Sequence, residues 1–237
     1  MSSIRPTVLI VDPFSSGAQF SERIKQKYGY NCLALITNTK LPQLLLSGLR
    51  KTDFTEIFTL NDSIDEMIIE IERVLGGPPE YIVCGSEPGV LVFDVLSNCW
   101  NLSPNDVKKS RARRDKYLMM EQLRNDGICH IPSFKSSSID QILEWIKTQK
   151  LTDIVVKPIM SFGTEGVHFC HNENEIRTAC ENLLGKVDYS GNINQEVLVQ
   201  KLIYGDEYVV DVVSSNGLHH VVNMFKYTKQ ATSSKSR

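Results

Sequence analysis

The chain has 237 residues, 41% hydrophobic and 23% charged, enough for one large domain or two modest ones with a sizeable core. Its formal net charge of -2 gives no overall pull toward nucleic acid or an anionic membrane surface, and no apolar run approaches the roughly 20 residues that span a bilayer. Cys32, Cys84, Cys99, Cys129, Cys170 and Cys180 form no CxxC pair, which points to reduced thiols and a cytoplasmic protein rather than a disulfide scaffold.

The opening MSSIRPTVLIVDP reads as a first strand and not a signal peptide, because its short apolar segment runs straight into Asp12. Thr7 to Val11 is that strand, and Ala18 to Tyr28 places Phe20, Ile24 and Tyr28 at helical spacing. The pattern repeats with a strand over Asn31 to Thr37, a short helix over Pro42 to Leu49 with proline in its first turn, and a strand over Thr55 to Leu60. Ser63 and Glu66 form a capping box ahead of Ile64, Met67, Ile68, Ile71 and Val74, and Gly76-Gly77-Pro78-Pro79 ends that helix. Tyr81 to Cys84 is a fourth strand and Val90 to Trp100 a further helix. Strands alternating with helices call for a parallel sheet covered on both faces, a Rossmann-like unit. Its first loop, DPFSSGAQF, lacks the GxGxxG fingerprint, which counts against a dinucleotide site. The crevice at the carboxyl ends of these strands would gather Asp12, Ser15, Ser16, Gly85, Ser86 and Glu87. Of these, Gly85 to Gly89 combines exposed amides with a carboxylate, and plain turn chemistry is the alternative reading.

Leu102 to Ser110 reads as a polar linker marked by Pro104. The basic run Lys108 to Lys116 is either a positive rim around a phosphate site, a nucleic-acid patch or a solvated helix start; without interleaved aromatics the nucleic-acid reading fails. The helix opening at Asp115 ends at Gly127, with Tyr117, Leu118, Leu123 and Met119 or Met120 toward the core. A strand near Ile131 to Phe134 and a helix from Ile139 to Lys150 follow. The β-branched run Ile154 to Val156 then delivers Lys157, and alternation resumes at Val167 and Phe169 beyond a loop carrying Ser161, Phe162, Gly163, Thr164 and Gly166. Two strands need only about two to five residues to turn. This loop is longer, exposes amides and has a lysine at its entrance, and amides and ammonium both suit phosphate. Asn172 or Asn174 caps the next helix, to about Leu184; Glu196 to Leu202 is a strand, and Glu207 to Ser214 pairs with Leu218 to Tyr227 about Asn216-Gly217. His168, Cys170 and His171 lie close together but fall short of the roughly four ligands of a tight zinc site, so a core-facing pair is the preferred reading.

Three blocks, Arg113 to Ile128 (RRDKYLMMEQLRNDGI), Ile154 to Cys170 (IVVKPIMSFGTEGVHFC) and Val197 to Val213 (VLVQKLIYGDEYVVDVV), resemble in that order the ATP-grasp superfamily. The resemblance implies an α/β chain with a Rossmann-like pre-ATP-grasp domain over residues 1–105 and an incomplete α+β ATP-grasp domain over 106–237. Asp115-Lys116, with Gly127-Ile128 and Pro132 downstream, is similar to the family's DK pair, so Lys116 would reach the ATP phosphates. Lys157 would hold α- and β-phosphate oxygens, and the amides around Ser161, Phe162, Gly163, Thr164 and Gly166 would close over the β- and γ-phosphates. Gln200 and the backbone of Lys201 and Ile203 would read the adenine edge, and Glu207 would bind ribose hydroxyls; Gln200 stands where glutamate is common.

The chemistry so implied is acyl activation. A carboxylate takes the γ-phosphoryl group, an amine displaces phosphate, and Mg²⁺ bridges the phosphate oxygens. Among subgroups, the carboxylate-amine ligases of L-amino acid ligase and carnosine synthase type look most similar. The implied partners are ATP, Mg²⁺, a small carboxylate and an amine acceptor, with a homodimer left open and neither nucleic acid nor membrane expected. The family's metal-binding Glu and Asn and its transfer arginine would fall beyond the second hairpin, so no metal ligand or catalytic residue is assigned. The expectation is either part of a longer ligase or a shortened, non-catalytic nucleotide-binding or interaction module.

Overall fold

Four short apolar runs pair side by side at the start of the chain. In a computed structural model that describes residues 5–102, 105–161, 163–189 and 191–228, β1 (Thr7–Val11), β2 (Asn31–Ile36), β3 (Glu56–Thr59) and β4 (Tyr81–Cys84) form a parallel sheet in the order β3-β2-β1-β4. Leu9, Ile10 and Val11 of the central strand have no exposed surface, as a strand covered on both faces requires. Leu9, Val11, Leu33 and Leu35 pack against Met67 and Ile71 of α3 (Ile64–Leu75) and Leu96 of α4 (Val90–Cys99). On the other face Val8, Ile10 and Cys32 meet Phe20 and Ile24 of α1 (Ala18–Tyr28). The Ser63 hydroxyl caps α3 by accepting from the Glu66 N–H at 3.2 Å, and Gly76 ends it with φ 77°. α2 is shorter than the sequence implies: it covers Gln43–Leu46, with Pro42 as the capping residue outside it.

At the carboxyl ends of the strands, three of the residues expected in a crevice are bound to the protein itself. Asp12 is fully buried and its carboxylate accepts from the Thr37 N–H at 2.8 Å and the Thr37 hydroxyl at 2.6 Å, while its carbonyl accepts from the Ser86 hydroxyl at 2.8 Å. The loops after β1 and β4 touch backbone to backbone: a Cβ on Gly17 would come within 2.1 Å of the Gly85 carbonyl oxygen, a contact only glycine permits. Asp12, Gly85 and Ser86 therefore tie three strand ends together, and the turn-chemistry reading holds for them.

Residues after Leu102 are not a loose linker throughout. Val107–Arg113 is a 3-10 helix, opened by the Asp106 carboxylate accepting from the Lys108 N–H at 3.0 Å; Pro104 lies outside the described residues. α5 (Lys116–Asn125), α6 (Ile139–Thr148) and α7 (Glu173–Leu183) accompany a second sheet of β5 (Ser133–Ser136), β6 (Ile154–Pro158), β7 (His168–Cys170) and β8 (Val197–Lys201). This sheet is antiparallel, in the order β5-β8-β6-β7. β5 starts two residues later than expected; Pro132 has no N–H to give a ladder and contributes only its carbonyl, which accepts from the Lys201 N–H at 3.1 Å. Met119, expected in the core, is 37% exposed.

The chain falls into two compact units, Met1–Lys201 and Leu202–Arg237. Within the second, β9 (Glu207–Ser215) and β10 (Leu218–Tyr227) form an antiparallel hairpin with a register shift between Val221 and Asn223. Asn216 at φ 51° and Gly217 at φ 77° make its turn, the two left-handed residues a tight hairpin needs. Among the described residues no helix is long and apolar enough to cross a membrane.

Burial pushes the Asp12 carboxyl up from 3.8 to about 6, against the opposing bonds from Thr37. The folded chain thus keeps a proton that the unfolded chain releases between 3.8 and about 6, so this group's contribution to stability falls as pH rises through that window. Asp12→Asn should flatten the fall, whereas Asp12→Ala, which strands the Thr37 N–H, should cost about 1–3 kcal/mol. Urea unfolding at both ends of the window measures this; an unchanged slope in Asp12→Asn would reject the assignment.

Candidate functional site

Alternation along the strands sorts the second sheet's side chains onto two faces. Ile154, Val156, Cys170, Val197 and Val199 lie on one, sealed by Ile142 and Ile146 of α6 and Ile176, Ala179 and Cys180 of α7. The registers Val155↔Gln200, Lys157↔Leu198, Ser133↔Gln200 and Lys135↔Leu198 put those polar residues together on the opposite face.

Lys157 is half-buried there, and its pKa is lowered by burial and then by the Lys116 ammonium nearby. Lys116 opens α5, where the Asp115 carboxylate caps the helix by accepting from the Tyr117 and Leu118 N–H groups, both at 2.9 Å. The Lys116 N–H donates to the Ile159 carbonyl at 3.2 Å, and its Nζ donates to the Ser161 carbonyl at 2.7 Å and approaches that of Ile159 at 3.5 Å. Burial lowers its pKa too, opposed by Glu87, Asp115 and Asp188 and reinforced by Arg114. Lys116 and Lys157 are thus within electrostatic reach of one another, and Lys116 also holds the start of the loop after β6.

What fixes Lys116 is the pair of arginines before it. Arg113 reaches the buried Asp94 at 2.6 Å, and the buried Arg114 pairs with Glu87 at the end of β4. The basic run therefore splits. Lys109 meets Asp126 at 3.4 Å on the surface, as in a solvated helix start, while Arg114 is buried and Lys116 is half-buried. Glu87, expected in the crevice, acts as the partner of Arg114.

In the loop, Gly163, Thr164 and Gly166 take φ of 68°, 62° and 63°. A Cβ on Gly166 would also meet Leu183 Cδ2 at 2.8 Å, so that glycine is required by packing whatever the loop binds. The Glu165 carboxylate accepts from the Tyr189 N–H at 2.9 Å, joining this loop to the one after α7, and burial raises its pKa first, with Asp188 adding to it. Ser161 is buried, and Phe162 lies outside the described residues. Gln200 is 4% exposed and its Nε2 donates to the Ser133 hydroxyl oxygen at 2.8 Å. The Lys201 side chain is exposed on the sheet's other face. Ile203 and Glu207 belong to the second unit, where Ile203 is exposed and Glu207 opens β9 opposite Tyr227.

Ser133 and Lys135 were not legible as site residues. Lys135 binds Glu196 at 2.6 Å and lies 5.6 Å from the Tyr117 ring centroid. The signal was the alternation Ser133, Lys135 within β5, usable only once the strand's start is known. At the histidines, Cys170 is buried, His168 is half-buried with its pKa lowered by burial, and His171 pairs with Asp153 at 2.7 Å. No three or more metal-ligating side chains cluster among the described residues.

Residues 151–236 match the family model for the ATP-grasp domain. These residues belong to the ATP-grasp domain family. Dapdiamide A synthase of Enterobacter agglomerans is 30% identical over 235 residues, covering 95% of this chain and 53% of that protein. An L-amino acid ligase from Bacillus licheniformis superposes with a TM-score of 0.69 at 13% identity, over 98% of this chain and 52% of that one. The N5-carboxyaminoimidazole synthetase from Staphylococcus aureus complexed with ADP gives 0.66 at 16% identity, over 95% and 55%. The chain spans about half the length of these relatives, and the two structural likenesses show that it shares the mixed α/β fold of those enzymes.

Because the folded chain depresses the Lys157 pKa, the unfolded chain binds more protons in the window between that lowered value and the ordinary 10.5, and stability rises with pH there. Lys157→Met, which removes the half-buried charge beside Lys116, should melt at a higher temperature than the parent chain at neutral pH without nucleotide, and should lose that alkaline rise. A lower melting temperature in differential scanning calorimetry would mean that Lys157 stabilises the fold.

Proposed function

We propose that this chain carries the nucleotide-binding part of an ATP-dependent carboxylate-amine ligase that works through an acylphosphate. The observation that supports it most is the pair Lys116 and Lys157, two ammonium groups within electrostatic reach of one another, with Lys116 bound to the Ser161 carbonyl at the start of the loop after β6. A triphosphate carries dense negative charge, and cations with backbone donors neutralise it while leaving the γ-phosphorus open. In this reading Lys157 holds α- and β-phosphate oxygens. Lys116, which has N–H donors beyond the one given to Ser161, takes a phosphate oxygen while keeping the loop in place. The amides of Ser161 to Gly166 close over the terminal phosphates, and Gln200 and the Lys201 backbone face the base. Ile203 and Glu207 keep the base and ribose roles that their sequence motif gives them. The domain assignment is residues 1–105 and 106–237. The names of the relatives, a dapdiamide synthase and an L-amino acid ligase, favour a small carboxylate and an amine as co-substrates.

The Mg²⁺ implied by the family finds no ligand cluster among the described residues, so no step through the metal is assigned to them. Titration calorimetry with the β,γ-imido analogue of ATP tests the reading. Lys157→Ala should weaken binding by about 1.5–3 kcal/mol, the range for a hydrogen bond to a charged group. Equal affinities in the two proteins would remove Lys157 from the site.

A further inference from the structure

We propose that Ser133 is a positioning residue that fixes which end of the Gln200 amide faces the site, and so favours a purine with an amino group at C6, as adenine has, over one with a carbonyl at C6, as guanine has. This rests on the nucleotide reading above and adds to it a residue and a base discrimination.

Ser133 and Gln200 stand opposite each other in the β5 to β8 register. The Ser133 hydroxyl donates to the Ile131 carbonyl at 2.7 Å. Its single proton is thereby committed, and its oxygen is left only to accept. Gln200 answers with Nε2 at 2.8 Å. The relay runs in one direction, from amide to hydroxyl to carbonyl. Reversing the amide would set its oxygen against the Ser133 lone pairs, or make Ser133 abandon Ile131, and either costs a hydrogen bond in a place where Gln200 is 4% exposed.

The amide's other end is therefore Oε1. It makes no hydrogen bond to a described residue, and it is not sealed from solvent either: among the described residues, Ser97 Oγ is the one enclosed side-chain nitrogen or oxygen without a partner. An accepting oxygen with a small solvent-facing edge thus remains in an otherwise buried side chain, on the face that carries Lys157 two residues along β6 from Val155, the strand partner of Gln200. It matches an amino donor and opposes a carbonyl, and a buried group built to pair with one rejects the other.

The full chain, its Ser133→Ala and Ser133→Thr variants, and Ser133→Ala in a Gln200→Glu background are titrated with the β,γ-imido analogues of ATP and GTP. The parent should prefer the adenine nucleotide by at least about tenfold. Ser133→Ala should shrink that ratio several-fold, mainly by admitting guanine, and Ser133→Thr, which keeps the hydroxyl, should restore it. A carboxylate presents oxygen whichever way it turns, so in the Gln200→Glu background Ser133→Ala should leave the ratio unmoved. An unchanged ratio in Ser133→Ala that still binds nucleotide, or an equal change in the Gln200→Glu background, would overturn the role of Ser133. Failure of the parent chain to bind either analogue would overturn the nucleotide reading, and the inference with it.

Discussion

On one face of the second sheet Lys157 is half out of water and within electrostatic reach of Lys116. Lys116 and Lys157 each lose charge-stabilising solvent, and Lys157 bears the repulsion of Lys116 as well. Such a pair stands only on a scaffold stable without it. The sheet's sealed face supplies that scaffold, with Ile154, Val156, Val197 and Val199 all fully buried. One face pays for the other, and a site where cations are underpaired in the free protein is one where an anion gains most on arrival.

The same two-faced sheet explains what could be read from the chain in advance. Lys157 stood out because a β-branched run ended on it and Pro158 closed the run. Helices announced themselves through their ends: Ser63, Asp115 and Asn172 each accept a backbone N–H at a helix start. The Asn216-Gly217 turn and the parallel first sheet followed from equally local rules. The face shared by Gln200, Ser133 and Lys157 did not, because it depends on the pairing of three strands distant in sequence, and a slip of one residue would send each side chain to the other side.

Direction was the other thing hidden. Arg113 and Arg114 look like their neighbours Lys108 and Lys109 in a basic run, yet Arg113 reaches the buried Asp94 and Arg114 is itself buried against Glu87. Nothing local tells an inward guanidinium from a solvated ammonium; the buried carboxylate that decides it lies 19 residues away for Arg113. Asp12 misled for the same reason. A carboxylate at a strand end suggests an open crevice, and only the β1 to β2 register brings Thr37 to both of its oxygens. Met119, apolar and at helical spacing, is 37% exposed all the same.

Arg113 and Arg114 are consecutive, and they grip two different elements of the first sheet, α4 and the turn after β4. The place where the sequence suggests a seam between folding modules is therefore a rivet. A polypeptide begun at residue 106 would carry two guanidinium groups whose counter-charges, Asp94 and Glu87, had been left behind. Lys116 itself keeps its partners in the later segment, the carbonyls of Ile159 and Ser161, so what such a cut would remove is the anchoring of the turn just ahead of it.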